Sequence, residues 1–283
     1  MSINTSSIDR KIKKGYILIM NKSLVYKQIK NGIKKYFKES GFKKAAIGLS
    51  GGVDSTITAL LVSDALGKDN LSPIFMPTEF TLEISKKNAY KFCKNLGFEL
   101  IEIDITDIID KYLETLGNKF IIKGIGIPEE NLQARIRGNL LMWFANRNRA
   151  LVIATGNRSE ILTGYCTLYG DTVGAIAPIG ALYKTEVYEI AYWINKERNN
   201  IIPPSILEQE PSAELNLGQK DEEDLHPYEV LDSILKLYED ESKSIEDIVN
   251  AGFKKEVVED IVSRIKINIF KRKQLSPVIE LTK

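Results

Sequence analysis

The chain contains 283 residues, of which 43% are hydrophobic and 27% are charged. That length is enough to bury a core as one large domain or two small ones, and the composition is that of an ordinary soluble globular protein. The 39 basic and 38 acidic side chains nearly cancel, so no global charge attracts nucleic acid or an acidic membrane, and we expect neither as a partner.

Further classes of protein are disfavoured by the cysteine content, the length of the apolar runs and the N-terminal residues. Only Cys93 and Cys166 are present and no CxxC pair occurs, which disfavours a disulfide scaffold, a cysteine-rich zinc site and a dithiol redox centre. No apolar run approaches the roughly 20 residues of a membrane helix, and a signal-peptide layout is missing, so we expect a cytoplasmic protein. The first 19 residues are polar and basic without a clear period, which predicts a flexible N-terminal extension over residues 1–22 and one domain over residues 23–283.

In the first part of the chain, helical and apolar segments alternate. Hydrophobic spacing and glycine stops predict, in chain order, a helix at 23–41, a strand at 45–49, a helix at 53–66, a strand at 71–76, a helix at 84–96 and a strand at 98–103. This alternation predicts an α/β fold, with a doubly wound, mostly parallel sheet flanked by helices.

The second part continues the pattern and then changes to helices alone. A long helix at 129–148 leads into a fourth strand at 150–154, and a further helix is predicted at 184–195. A Pro-Pro break and a polar loop at 208–226 follow, and a loop of this length is often functional. The last predicted helices, at 228–238, 244–251 and 255–269, are expected to form a helical C-terminal cap.

The segment GLSGGVDS, residues 48–55, lies between a predicted strand and a predicted helix. Closely spaced backbone N–H groups and a helix N-terminus both attract phosphate. Gly51 and Gly52 allow close approach of the backbone, and Ser50 and Ser55 add hydroxyl groups. Asp54 has the wrong charge for phosphate and makes sense beside a metal ion, so the segment predicts nucleotide binding.

Other interpretations of this loop were compared with that one. It lacks the lysine of a Walker A loop and the spacing of a Rossmann GxGxxG fingerprint. If Ser50 or Ser55 merely capped a helix and the glycines made a tight turn, the presence of Asp54 would stay unexplained.

Several motifs together resemble a known family. SGGVDS after a first strand resembles the signature of the N-type ATP pyrophosphatases, which split ATP between its α and β phosphates. The later motifs resemble NAD synthetase, and the resemblance spans roughly residues 23–277. These motifs are ENLQARIRGN at 130–139, ATGNRSE at 154–160, GYCTLYGD at 164–171, PIGALYKTEVYE at 178–189, EPSAEL at 210–215, QKDEEDL at 219–225 and FKRKQ at 270–274.

The resemblance implies an adenine nucleotide alpha hydrolase-like fold and assigns an ATP site. The implied ATP contacts are Gly48, Leu49, Ser50, Gly51, Gly52, Val53, Asp54, Ser55, Thr155, Lys184 and Ser212. Asp54 and Glu160 are implied as ligands of Mg²⁺, and Lys184 and Asp54 as the groups that stabilise charge, with no side-chain nucleophile. Judged alone, Glu160 would be a solvated helix carboxylate and Lys184 a surface lysine.

For the acid substrate the resemblance implies contacts by Arg135, Asp171, Phe270 and Lys271. Two positions depart from the family pattern. Leu168 stands where the ammonia-dependent branch often has lysine, and Phe270 stands where some members have histidine. Leu168, with the EPSAEL and QKDEEDL segments, looks more like the synthetase halves of glutamine-dependent enzymes.

The reaction implied by the resemblance is the ATP-dependent amidation of deamido-NAD to NAD, through an adenylated carboxylate, with release of AMP and pyrophosphate. Too few residues precede the loop to hold an amidase domain, so we expect ammonia as the nitrogen donor, and a separate glutaminase subunit stays an open alternative. The resemblance also implies a homodimer. The rival hypotheses are another N-type ATP pyrophosphatase, such as a GMP synthetase-like or tRNA-thiolating enzyme, and a regulatory nucleotide-binding module without turnover.

Overall fold

A computed structural model of the chain describes residues 20–121, 124–219 and 221–282, apart from the side chains of residues 222 and 223. Most of the predicted N-terminal extension, residues 1–19, lies outside these ranges. Its last residues lead directly into the first helix, α1 (Lys22–Ser40). Asn21 caps that helix, because its side-chain oxygen accepts a hydrogen bond from the Leu24 N–H at 3.1 Å.

The described residues form one parallel sheet of four strands in the order β3-β2-β1-β4. The strands are β1 (Lys44–Gly48), β2 (Leu71–Phe75), β3 (Ile101–Glu102) and β4 (Ala150–Ile153). β1 is central, and its Ala45 lies opposite Leu71 of β2 and Leu151 of β4. Because the chain builds β2 and β3 on one side of β1 and β4 on the other, a topological switch point lies between β1 and β4.

Helices cover both faces of this sheet. They are α2 (Val53–Leu66), α3 (Glu83–Leu96), α4 (Thr106–Gly117), α5 (Ile127–Asn148), α6 (Arg158–Thr163), α7 (Lys184–Glu197) and α8 (Pro204–Glu208). Ala45 and Ile47 of β1 join the core under α1, α2, α3 and α7, whereas Ala46 joins the core under α4 and α5. This alternation follows from the two-residue period of a strand and makes the sheet buried on both sides.

The last helices enclose a second core. They are α9 (Asp221–Leu225), α10 (Tyr228–Leu235), α11 (Ile245–Asn250), α12 (Lys255–Ile267) and α13 (Ile269–Arg272), with a π-helical turn at Lys236–Asp240. Leu231, Ile234 and Ile261 are fully buried there and pack with Leu162 of α6 and Tyr183, which precedes α7. The helical cap thus packs against α6 and the start of α7.

The predicted fold class is confirmed, and most predicted boundaries agree within one or two residues. Three differences stand out. β3 is shorter than predicted because only Ile101 and Glu102 pair with β2, while Phe98 and Leu100 turn into the core. The helices α6, α8 and α9 were not predicted, because segments of five or six residues are too short to show a helical period. The helix α4 was also not predicted, although its Ile109, Leu113 and Leu116 fall at helical spacing. No helix of the described residues is long and apolar enough to cross a bilayer.

The connection from β1 to α2 depends on one glycine. Gly51 has a φ of 89°, in the left-handed region. A Cβ atom on Gly51 would lie 2.2 Å from the Ser85 carbonyl oxygen at the start of α3. Gly52, next in the chain, has a φ of −85°, and a Cβ there would lie 3.4 Å from the nearest atom, Ser50 Oγ. Only Gly51 therefore needs to lack a side chain for packing.

We expect Gly51→Ala to lower the free energy of unfolding by at least about 2 kcal/mol, because it adds backbone strain and a collision with Ser85. The matched variant Gly52→Ala should change that free energy by no more than about 0.5 kcal/mol. Urea denaturation of both variants measures the difference. Equal stabilities would show that the loop relaxes away from α3 and that the collision carries no cost.

Candidate functional site

The carboxyl ends of the strands open into a cavity of about 320 Å³ at the switch point between β1 and β4. Loops that follow β1, β4 and α8 surround it. Many of the residues predicted for the site line this cavity: Gly48, Leu49, Ser50, Gly52, Val53, Asp54, Ser55, Thr155, Glu160, Asp171, Lys184 and Ser212. Parallel strands end at one edge, so residues far apart in sequence meet here.

The loop after β1 presents the first turn of α2 to this cavity. Its N-cap residue is Gly52, which has no side chain to bind the free N–H groups of the turn. Ser50 and Ser55 bind each other, with their hydroxyl oxygens 3.1 Å apart, and the Ser50 N–H donates to Ser55 Oγ at 3.2 Å. The two serines therefore brace the loop and leave the helix terminus available to an anion.

A buried ion cluster lies at the base of the cavity. Lys184, the first residue of α7, is only 3% exposed. Its Nζ donates a hydrogen bond to Asp54 Oδ2 and lies 3.9 Å from Glu160 Oε1. The Tyr228 ring also contacts this cation, with its centroid 5.2 Å from Nζ. Three helices, α2, α6 and α7, thus bring one cation and two carboxylates together.

Asn157 holds the two carboxylates in place. It is the N-cap of α6 and forms a capping box with Glu160: the Glu160 N–H donates to Asn157 Oδ1 at 3.0 Å, and the Asn157 N–H donates to Glu160 Oε2 at 3.2 Å. Its Nδ2 donates to Asp54 Oδ1 at 3.1 Å. Asn157 was not among the predicted site residues, although the N-x-x-E spacing of a capping box is visible in the sequence.

The cluster shifts the pKa values of its members. Burial by itself would lower the pKa of the Lys184 ammonium, but the attraction of Asp54 and Glu160 outweighs burial, and that pKa is raised. Burial, followed by the nearby Asp54 carboxylate, raises the pKa of Glu160 well above its ordinary value, although Lys184 opposes this. Two carboxylates share one cation, so the electrostatic balance of the cluster favours a further cation.

That balance fits Mg²⁺ bound together with phosphate. Among the residues that the structure describes, no group of three or more His, Cys, Asp or Glu side chains is placed to hold a metal ion. Mg²⁺ commonly uses one or two carboxylates and takes its other ligands from phosphate oxygens and water. Asp54 and Glu160 beside the α2 N-terminus provide such a pair.

Thr155 and Ser212 both line the cavity. Thr155 lies two residues after β4, at the strand end where ligands bind in open α/β sheets. Ser212 lies in the loop after α8, where its hydroxyl donates to the Gln219 carbonyl oxygen at 2.6 Å and accepts from the Glu214 N–H at 3.1 Å. The Ser212 hydroxyl therefore shapes its own loop.

The structure does not bring Arg135, Phe270 and Lys271 into the cavity lining. Arg135 Nε donates to the Leu168 carbonyl oxygen at 3.2 Å, and Phe270 is half exposed. Lys271 Nζ donates to the carbonyl oxygens of Gly164 and Cys166, both at 2.7 Å. Arg135 and Lys271 thus bind the segment of residues 164–171, which forms one wall of the site.

Asp171 connects that wall to the cavity. Its Oδ1 accepts a hydrogen bond from the Thr167 N–H at 2.6 Å, which closes the turn within residues 167–171. Asp171 also lines the cavity. The position of the segment that Arg135 and Lys271 bind therefore affects the position of Asp171 in the site.

Arg137 and Asp221 also line the cavity, and neither was among the predicted contacts. Arg137 donates from Nε to the Met76 carbonyl oxygen at 3.0 Å, and burial lowers the pKa of its guanidinium to about 10. Asp221 is buried and accepts hydrogen bonds from the hydroxyls of Tyr165 and Tyr228, each at 3.2 Å. Asp221 lies within the predicted polar loop at 208–226, so its burial could not be predicted without the cap that covers it.

Comparison with known proteins places the chain in one family. The chain matches the family model described as NAD synthase over residues 25–275. It is 45% identical over 259 residues to the glutamine-dependent NAD(+) synthetase of Thermotoga maritima, an alignment that covers 91% of this chain and 45% of that protein. The glutamine-dependent NAD+ synthetase of Acinetobacter baumannii, solved in complex with ADP, is 34% identical with a TM-score of 0.66 over 95% of this chain and 49% of that one.

A shorter protein also matches. The NH3-dependent NAD synthetase of Campylobacter jejuni is 26% identical with a TM-score of 0.74, over 93% of this chain and 100% of that one. The chain spans about half the length of the curated relatives it matches. Their glutamine dependence agrees with the resemblance expected from Leu168. The family predicted from the separate motifs is confirmed, and this chain belongs to the NAD synthase family.

Proposed function

We propose that the chain catalyses the ATP-dependent amidation of deamido-NAD to NAD with ammonia. The observation that carries this proposal is the buried Lys184 ammonium between Asp54 and Glu160, beside the open N-terminus of α2. This arrangement provides positive charge for a pyrophosphate and carboxylates for its metal ion. The Acinetobacter relative, solved with ADP, supports an adenine nucleotide as the ligand.

The proposed reaction has two steps. A nicotinate carboxylate oxygen of deamido-NAD attacks the α-phosphorus of ATP, and the bond from that phosphorus to the oxygen bridging to the β phosphate breaks, which releases pyrophosphate. Ammonia then attacks the acyl carbon of the adenylate, the bond from that carbon to the AMP oxygen breaks, and the added nitrogen loses a proton. The products are NAD, AMP and pyrophosphate.

Within this proposal the site stabilises charge and needs no nucleophile of its own. Lys184 and the backbone N–H groups at the start of α2 face the pyrophosphate, which gains charge as it leaves. Asp54 and Glu160 would hold Mg²⁺, which when bound neutralises phosphate charge. Gly48, Leu49, Val53, Thr155 and Ser212 complete the proposed ATP contacts around the cavity.

We propose that Arg135, Asp171, Phe270 and Lys271 act on deamido-NAD through the wall of residues 164–171. Phe270 and Tyr169 of this region are 50% and 65% exposed. Exposed aromatic side chains are enriched at protein interfaces, which supports a homodimer whose subunits share the dinucleotide site. We also propose that the protein works in the cytoplasm.

The proposed nitrogen donor rests on the relatives that the chain matches. The family member from Campylobacter, matched over its whole length, is named as NH3-dependent, whereas the longer relatives are named as glutamine-dependent. Ammonia, free or delivered by a separate glutaminase subunit, is therefore the proposed donor.

We expect the purified chain to form NAD and AMP from deamido-NAD, ATP and Mg²⁺ when ammonium is supplied, and to form little NAD when glutamine replaces it. Chromatography of the products measures both reactions. ADP and orthophosphate are measured as well, because they would indicate cleavage of ATP between its β and γ phosphates. Efficient use of glutamine by the chain alone would contradict ammonia as donor. If no NAD forms with either donor, the proposed amidation is wrong.

We expect Lys184→Met to lower kcat for NAD formation by about 100-fold or more, since it removes a preorganised cation from the leaving pyrophosphate. The same change leaves Asp54 and Glu160 as neighbouring carboxylates without their cation, so it should lower the free energy of unfolding by about 3 kcal/mol. Steady-state kinetics and chemical denaturation measure the two effects.

The double variant Lys184→Met with Asp54→Asn separates these effects. Removing the second charge should restore part of the lost stability, because one uncompensated carboxylate is gone, while kcat stays low. If the double variant is no more stable than Lys184→Met, the two side chains do not interact as the ion pair indicates. If Lys184→Met keeps the kcat of the unaltered protein, Lys184 has no role in stabilising charge.

A further inference from the structure

A buried carboxylate outside the cavity connects the helical cap to the ion cluster. Asp232, on α10, is 2% exposed. It lies where α6 and α7 begin side by side, a proximity also shown by the Arg158 N–H, which donates to the Leu182 carbonyl oxygen at 2.7 Å. Both helix N-termini carry partial positive charge, which a carboxylate stabilises.

Asp232 binds both of these termini. Its Oδ1 accepts a hydrogen bond from Ser159 Oγ on α6 at 2.5 Å, and its Oδ2 accepts one from the Thr185 N–H on α7 at 2.8 Å. Ser159 Oγ in turn accepts a hydrogen bond from the Lys184 N–H at 2.9 Å. One carboxylate and one hydroxyl thus satisfy two N–H groups in the first turn of α7.

The direction of these hydrogen bonds depends on the charge of Asp232. A serine hydroxyl has a single proton, and Ser159 donates it to Asp232. This orients a lone pair of Ser159 Oγ toward the Lys184 N–H, which needs an acceptor. If the group at Asp232 Oδ1 were a donor, Ser159 Oγ would have to accept from it as well as from the Lys184 N–H, and the Ser159 proton would need another acceptor, which weakens this link between α6 and α7.

The residues beside this link are those that hold the ion cluster. Glu160 follows Ser159 on α6, and Lys184 precedes Thr185 on α7, with 3.9 Å between Lys184 Nζ and Glu160 Oε1. We propose that Asp232 is a positioning residue of the ATP site, which acts through Ser159 to set the relative position of Lys184 and Glu160. This inference rests on the proposed roles of those two residues in binding ATP with Mg²⁺.

A neighbouring carboxylate provides a matched control. Asp240, in the π-helical turn after α10, also attaches the cap to this region, but through side chains: it accepts hydrogen bonds from Tyr183 OH at 3.0 Å and from Arg158 Nη2 at 2.5 Å. Asp240→Asn therefore weakens the attachment of the cap and keeps the link through Ser159. A purely structural role of Asp232 would make the two Asp→Asn variants alike.

The test measures binding and stability separately. Calorimetric titration with the α,β-methylene analogue of ATP and Mg²⁺ gives the Kd without turnover, and thermal denaturation gives Tm. Asp232→Asn keeps the size of the side chain and replaces one acceptor by a donor, so we expect Kd to rise about tenfold or more. For Asp240→Asn we expect Tm to fall and Kd to stay within about twofold of the unaltered protein. In turnover, Asp232→Asn should raise KM for ATP and leave KM for deamido-NAD unchanged.

A second variant keeps the inference testable if Asp232→Asn does not fold. Ser159→Ala removes the hydroxyl and should raise Kd in the same direction, and the double variant should bind no more weakly than the weaker single variant, because both changes break one link. An unaltered Kd in either single variant overturns the inference. These measurements need no product, so a protein that binds the analogue but forms no NAD would contradict the proposed function and still test Asp232.

Discussion

The structure of the site depends on the burial of one cation, the Lys184 ammonium. A charged group inside a protein is stable only when opposite charges and hydrogen bonds replace its water. Asp54 and Glu160 supply those charges, and they belong to helices that begin after different strands. The ion cluster can form only if α2, α6 and α7 start close together in space, so it couples the proposed ATP site to the fold as a whole.

Two features of the architecture create that meeting point. The strand order places the loops after β1 and β4 next to each other, which brings Asp54 near Asn157 and Glu160. The helical cap also packs against this region, because its core includes Tyr183 and its Asp232 binds the starts of α6 and α7. The cap therefore does more than cover a hydrophobic surface. It supplies a carboxylate that accepts from the Thr185 N–H in the first turn of α7 and from the Ser159 hydroxyl on α6.

The wall formed by residues 164–171 has a different character from the ion cluster. Arg135 and Lys271 bind carbonyl oxygens of this segment, which leaves their charges directed at the backbone. Cationic side chains placed in this way order a loop, and a ligand would have to compete with the carbonyls for direct contact. The proposed ATP half of the site is thus defined by buried charge, and the proposed substrate half by the shape of one segment.

Much of this protein is determined by local sequence. The alternating apolar and helical segments determine the α/β class, and the SGGVDS loop determines a glycine turn between a strand and a helix, because hydrophobic period and glycine placement act over short distances. Tertiary structure alone decided that Asn157 bridges the two carboxylates, that Asp221 and Asp232 are buried, and that Arg135, Phe270 and Lys271 lie outside the cavity. The capping box of Asn157 with Glu160 is local, but the contact of Asn157 with Asp54 and the other facts depend on segments far apart in the chain, for which no local pattern of residues provides a signal.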